Sequence, residues 1–218
     1  MSDGGLAARV GGSVGAFDRD QWNALAGTDN PFVSYEFLTA LEDSGSVGAG
    51  TGWQPAPLVI SEDDGPLLAA MPAYLKGHSQ GEYVFDHNWA DAYERAGGNY
   101  YPKLQIAAPF TPATGPRLLL SDDAFAAPLL AAAEQLCLQN RFSGAHATFI
   151  EPAQQPLFEA AGWMLRADIQ FHWHNRGFAR FDDFLATLSS RKRKNIRKER
   201  RQAQEFGGEI VSLTGDDI

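Results

Sequence analysis

A chain of 218 residues is long enough for one full domain and part of another. Hydrophobic residues make up 44% of it and aromatic residues 11%, which excludes a disordered composition and allows a sizeable core. The formal charge of -9 excludes the globally basic footprint common in nucleic-acid-binding domains, so any anion site has to be local.

One cysteine, Cys137, excludes a disulfide framework. No stretch approaches the ~20 apolar residues that span a bilayer. The N-terminus lacks the basic region and apolar core of a signal peptide. The expectation is a cytoplasmic protein.

Residues 1–16 are rich in Gly and Ala and read as a loose start. "FDRDQWNALAG" predicts a short helix capped by Asp18 and closed by Gly27. "NPFVSYEFLTALEDSG" predicts a second, with Ser34 as N-cap and Phe37, Leu38 and Leu41 at helical spacing. Two apolar runs around Glu-Asp-Asp-Gly in "APLVISEDDGPLLAAMPAYLKGH" predict a β-hairpin. Next come a short strand at Tyr83–Phe85, a short helix at Trp89–Ala96, and strands at Lys103–Ala108 and Arg117–Leu120. A clear helix over 122–140 has Leu129, Leu130, Ala133, Leu136 and Cys137 as its buried stripe. "AHATFIE" predicts a strand, "PLFEAAGW" a short helix, and "MLRADIQFHWHN" a long strand. A boundary falls at Asn175–Gly177, before helices at 181–188 and 190–206, a Gly207–Gly208 stop and a strand "EIVSL". The expectation is a first domain over 1–176 and the truncated opening of a second over 177–218, because so few elements make no core of their own.

Three stretches carry candidate chemistry. "DHNWADAYERAGGNYYPK" packs Asp86, His87, Trp89, Asp91, Tyr93, Tyr100, Tyr101 and Lys103 between glycine breaks. Aromatic and ionisable groups this dense suit a substrate cleft, or else a wet aromatic corner at a sheet edge. An amine acceptor needs a carboxylate or His to take its proton, and Asp86, His87 and Asp91 are the candidates. "PFTPATGPR" is stiffened by prolines, and its Arg117 either holds an anion or belongs to a plain connection. "SSRKRKNIRKERR" gathers eight cations around Glu199, a net +7, leaving -16 on all other residues (-9 less +7). At helical spacing Arg193, Arg197, Arg200 and Arg201 share a stripe flanked by Lys194 and Lys198, suited to phosphate or carboxylate. The alternative is a solvated face paired with the acidic remainder. His172 and His174 alternate on a predicted strand, but two ligands are too few for a metal site. Cys137 reads as a core residue.

The order hairpin, strands, long helix, strand, short helix ending "AAGW", long strand is similar to the GNAT acyltransferase fold, with Phe158 and Gly162–Trp163 in the places of its "YxxxGF"-like segment. That implies an α/β (α+β) protein with a mixed, mostly antiparallel sheet flanked by helices. "NPFVSYEFLTALEDSGSVG", "TGWQPAPLV", "GEYVFDHNWADAYERAG", "YYPKLQIAAPFTPATGPRLL", "QFHWHNRGF" and "FDDFLATLSSRKRKNIRKER" resemble the FemAB-like branch of that superfamily. The resemblance implies two GNAT-like domains in tandem and transfer of an acyl or aminoacyl group to an amine. The donor would be acyl-CoA or aminoacyl-tRNA, and the acceptor a small anionic molecule or peptidoglycan precursor. It also matches Ser190, Lys194, Asn195, Ile196 and Arg197 to the basic helix that opens the second domain, with tRNA as a further partner. One departure stands out. The glycine loop that cradles pyrophosphate in ordinary GNAT enzymes is absent before the 122–140 helix, where Asp122 and Asp123 would repel a phosphate. That favours a competing reading as a non-catalytic binding module. A third reading is an RNA-binding protein acting through the basic helix alone.

Overall fold

A computed structural model describes residues 5–62, 65–205, 207–208 and 211–215. The chain divides into two compact units, one ending at Arg166 and one beginning at Ala167. The expected boundary at Asn175–Gly177 lies inside the second.

In the first unit, the strands are β1 (Leu6–Val10), β2 (Trp53–Pro55), β3 (Leu58–Glu62), β4 (Leu67–Met71), β5 (Ala73–Lys76), β6 (Lys103–Ile106), β7 (Leu119–Leu120) and β8 (Ala145–Ala147). The helices are α1 (Arg19–Ala26), α2 (Tyr35–Asp43), α3 (His87–Arg95), α4 (Ala126–Asn140) and α5 (Gln155–Ala160). Two four-stranded sheets form, in the orders β1-β3-β4-β7 and β2-β5-β6-β8. Every pairing is antiparallel except β6 with β8. This is the mixed, mostly antiparallel α/β architecture expected.

Local sequence explains the helix starts. Asp18 accepts from the Gln21 amide and Ser34 from the Phe37 amide, each satisfying an otherwise orphaned donor. Gly27 closes α1 at φ 69°, a region that disfavours any Cβ. The second run of the hairpin is cut by Pro72, which has no N–H for a ladder. The chain therefore leaves the first sheet at Met71 and enters the second at Ala73. The hairpin residues Asp63 and Asp64 lie outside the described residues.

The first sheet is buried on both faces. Leu58, Ile60, Ala69 and Met71 meet Leu129, Leu130, Ala133 and Cys137 of α4. Val59, Leu67, Ala70 and Leu119 meet Trp22, Ala26 and Leu38 of α1 and α2. In the second sheet Ala73, Leu104 and Ile106 join the α4 core. Period-two alternation sends Tyr74, Lys76, Lys103 and Gln105 to the opposite face. That face positions the site.

Three sequence expectations need correction. Leu6–Val10, read as part of a loose start, is an edge strand paired along its length with β3. Its backbone ladder is joined by Arg9, which donates to Ser61 Oγ at 3.3 Å, while Leu6 and Val10 stay exposed. Tyr83–Phe85 is not a strand, because Tyr83 sits at φ 57° in the left-handed region, which breaks an extended run. Residues 164–175 alternate correctly for a strand, but among the described residues no strand pairs with them and their side chains lie exposed.

The second unit holds α6 (Phe181–Ala186) and α7 (Ser190–Gln204), the latter capped by Ser189. Of the last predicted strand, residues 209 and 210 lie outside the described residues, and 211–213 are irregular.

Candidate functional site

The second sheet places like charges side by side. Lys76 and Lys103 are direct cross-strand partners, and both are fully buried. Such a pair is unfavourable unless carboxylates neutralise it. Glu82 and Asp86, also buried, supply them from the connection between β5 and α3. Lys103 Nζ donates to Asp86 Oδ2 at 2.6 Å and to Glu82 Oε2 at 2.8 Å. Lys76 Nζ lies 4.0 Å from Glu82 Oε1, donates to the Gln80 carbonyl at 3.0 Å and sits 3.5 Å above the Trp53 ring. Tyr100 donates its hydroxyl to Asp86 Oδ2 at 2.7 Å.

Burial sets the proton affinities here. It pushes Lys76 down to about 7, with the Glu82 carboxylate resisting and Lys103 assisting. Burial raises Glu82, against the pull of both lysines. For Asp86 burial acts in the same upward direction, but Lys103 and the neighbouring Ser79 and Tyr100 hydroxyls outweigh it and hold the carboxyl at about 2. Burial also lowers His146 to about 4, helped by Lys103, so this ring beside Tyr100 is neutral at pH 7. Glu82 Oε1, Asp86 Oδ1 and Gln105 Oε1 are buried without a hydrogen-bond partner.

Five of the sequence candidates converge on this cluster. Asp86, Tyr100 and Lys103 are its members, Tyr101 meets Ser79 at 2.8 Å, and Tyr93 packs edge-on against Tyr100. His87, Trp89 and Asp91 are on α3 but exposed. Sequence reading missed Lys76, Glu82, Gln105 and His146. A lysine ending one strand and another opening the next is the visible trace of their pairing.

Arg117 goes elsewhere. It is buried, and its guanidinium donates to the carbonyls of Thr148, Pro116 and Ala113 at 2.7, 3.1 and 2.9 Å. It folds the proline-rich loop from within. The long helix begins at Ala126 and not at 122, because Asp122 caps a separate turn over Asp123–Phe125 through the Ala124 amide, so its anionic side chain lies one turn ahead of α4.

In the second unit the basic helix splits its arginines. Arg193 donates to the carbonyls of Leu185, Ala186 and Leu188 at 3.0, 3.3 and 2.9 Å, tying α7 to the end of α6. Arg197 pairs with Asp182 at 3.0 Å on an exposed surface, and Arg200 lies over the Phe181 ring. Lys194 and Asn195 are exposed. Arg197, Arg200 and Arg201 share a shallow pocket of about 300 Å³ with Phe181 and Gln204. Among the described residues no helix is long and apolar enough to cross a membrane, and no group of ligands suits a metal ion.

The structure is similar to known acetyltransferases at low identity. It is 12% identical to AAC(6')-Iy in complex with a CoA bisubstrate analogue, covering 78% of this chain and 99% of that one at a TM-score of 0.45. It is 13% identical to the aminoglycoside 6'-N-acetyltransferase AAC(6')-Ih from Acinetobacter baumannii, covering 79% and 100% at 0.44. No curated protein matches the chain. Its residues 13–218 match the FemAB-like family, described as peptidoglycan biosynthesis/recognition, and the chain belongs to that family.

Proposed function

We propose that this protein transfers an acyl or aminoacyl group to an amine acceptor bearing negative charge, a peptidoglycan precursor being the first to test. The observation that carries the reading is family membership over residues 13–218. The amine attacks a thioester or ester carbonyl, backbone N–H groups hold the oxyanion, a side chain takes the amine proton, and the tetrahedral intermediate collapses by breaking the C–S or C–O bond, releasing the thiol or the tRNA hydroxyl and leaving the amide. Of the three candidates, Asp86 is the poorest base, because Lys103 holds it ionised down to about pH 2. His87 and Asp91, one turn apart on α3, remain accessible and carry the proton away. In the second unit, the exposed Lys194 and Asn195, with Arg197 already paired to Asp182, are the groups of the basic helix that suit an anionic ligand such as a tRNA phosphate.

A second reading has its own support. Asp122, which caps the turn just ahead of α4, disfavours phosphate on that approach, which fits a binding module without a CoA site at that helix. The full chain incubated with acetyl-CoA, or with aminoacyl-tRNA, and a panel of amines distinguishes the two. Mass spectrometry should detect a new amide on at least one acceptor. Binding of an acceptor with no amide from either donor would establish the module instead.

A further inference from the structure

The second unit exposes aromatic rings beside arginines. Trp173, Phe178, Phe181 and Phe184 line a hollow of about 470 Å³, with Arg180 at its side. The rings pack on one another at centroid distances of 5.7–6.3 Å. Trp173 is nevertheless 63% exposed and Phe181 43%. Ile169 and Phe171, just ahead of Trp173, are 79% and 94% exposed. Large apolar side chains left this open are unfavourable in water, so a cluster of them marks a contact surface.

Phe181 also borders the hollow lined by Arg197, Arg200 and Arg201. Arg200 lies 4.1 Å over the Phe181 ring. Arg197 and Arg201 have exposed carboxylates, Asp182 and Glu205, at 3.0 and 3.8 Å. Exposed pairs of this kind are weak and exchange readily for another anion. Asp183 is engaged by the Ala179 and Arg180 amides. An apolar surface and a cationic one therefore meet at a single ring. Over 167–205, ten Lys or Arg stand against five Asp or Glu. Salt screens exposed charges beyond about 8–10 Å, so this local excess governs a close approach although the chain as a whole is acidic.

We infer that this face docks on an anionic lipid bilayer, with Trp173 and Phe181 among the headgroups and the arginines on lipid phosphates. Trp and Phe beside Arg are the residue types that hold a membrane interface, the rings at headgroup depth and the guanidiniums reaching phosphate. A second copy is a poor occupant, because a symmetric contact sets the same arginines against each other. Single-stranded RNA would stack on the rings and meet the arginines, but the exposed Ile169 offers it no stacking plane. The inference stands apart from the transferase reading.

The test is sedimentation of the full chain with vesicles of phosphatidylglycerol and phosphatidylcholine, and with phosphatidylcholine alone. The chain should bind the anionic vesicles, less tightly as salt rises, and bind the zwitterionic ones roughly tenfold or more weakly. Each cation at such a surface contributes about fivefold, so the triple variant Arg197→Gln, Arg200→Gln, Arg201→Gln should bind about a hundredfold more weakly. Brominated acyl chains should quench wild-type fluorescence, and Trp173→Phe should lose that quenching while still binding. Absence of binding to the anionic vesicles, equal binding to both compositions, undiminished binding of the triple variant, or quenching that survives in Trp173→Phe overturns the inference. Binding to single-stranded RNA in place of vesicles also overturns it and assigns the face to RNA. The wild-type comparison of the two vesicle compositions decides the matter even where a variant does not fold.

Discussion

Lys76 is the residue whose environment makes the sharpest statement. Its amine is buried and its pKa falls to about 7, whereas in the unfolded chain it stays near 10.5. Between those values the unfolded state binds more protons, so stability must rise with pH across that window. Below about pH 7 the lysine is charged in both states and the full cost of burying it is present. Thermal unfolding at several pH values should show the rise in wild type and a flatter profile in Lys76→Met. A variant profile as steep as wild type would assign the rise to another group. Lys103→Met is a different experiment on the same cluster. It leaves Asp86 and Glu82 buried without their shared cation, and denaturant titration should show a loss of ~3–5 kcal/mol. A loss under ~1 kcal/mol would mean the carboxylates are solvated or protonated instead.

At the scale of elements, the joint between α6 and α7 tests what the basic run is for. Arg193 serves two carbonyls at the end of α6 and a third, Leu188, in the link to α7, whereas Arg197 makes one exposed ion pair. Arg193→Ala should therefore cost ~1.5–3 kcal/mol in denaturant titration, and Arg197→Ala close to nothing, as exposed pairs usually do. Equal effects would show that the two arginines share one role. This division was not legible in the sequence, where both lie on the same stripe. The helices were legible where caps are local: Asp18 and Ser34 act within three residues. The charged cluster was legible only in part. Asp86, Tyr100 and Lys103 crowd one stretch, but Lys76 and Glu82 reach it only through the β5–β6 register, which a linear pattern does not encode. Residues 164–175 show the converse, since alternation supplies a strand pattern but not a partner to pair with.

At the scale of the whole molecule, the two sheets do different work. The first is apolar on both faces and packs between α4 and the α1–α2 pair. The second has an apolar face on α4 and an opposite face where Lys76 and Lys103 meet Glu82 and Asp86 from the β5–α3 connection. The family assignment agrees with the resemblance read from the sequence. The claim that α3 presents the proton-accepting groups is tested most directly by kcat/KM for amide formation in the full chain. Wild type is compared with His87→Ala, Asp91→Asn and Asp86→Asn, with unfolding curves for each. The account predicts a fall of ~10²–10⁴-fold in His87→Ala or Asp91→Asn with stability unchanged, and in Asp86→Asn a loss of stability, since Lys103 keeps only Glu82 of its two anions. Wild-type rates in both α3 variants would contradict it.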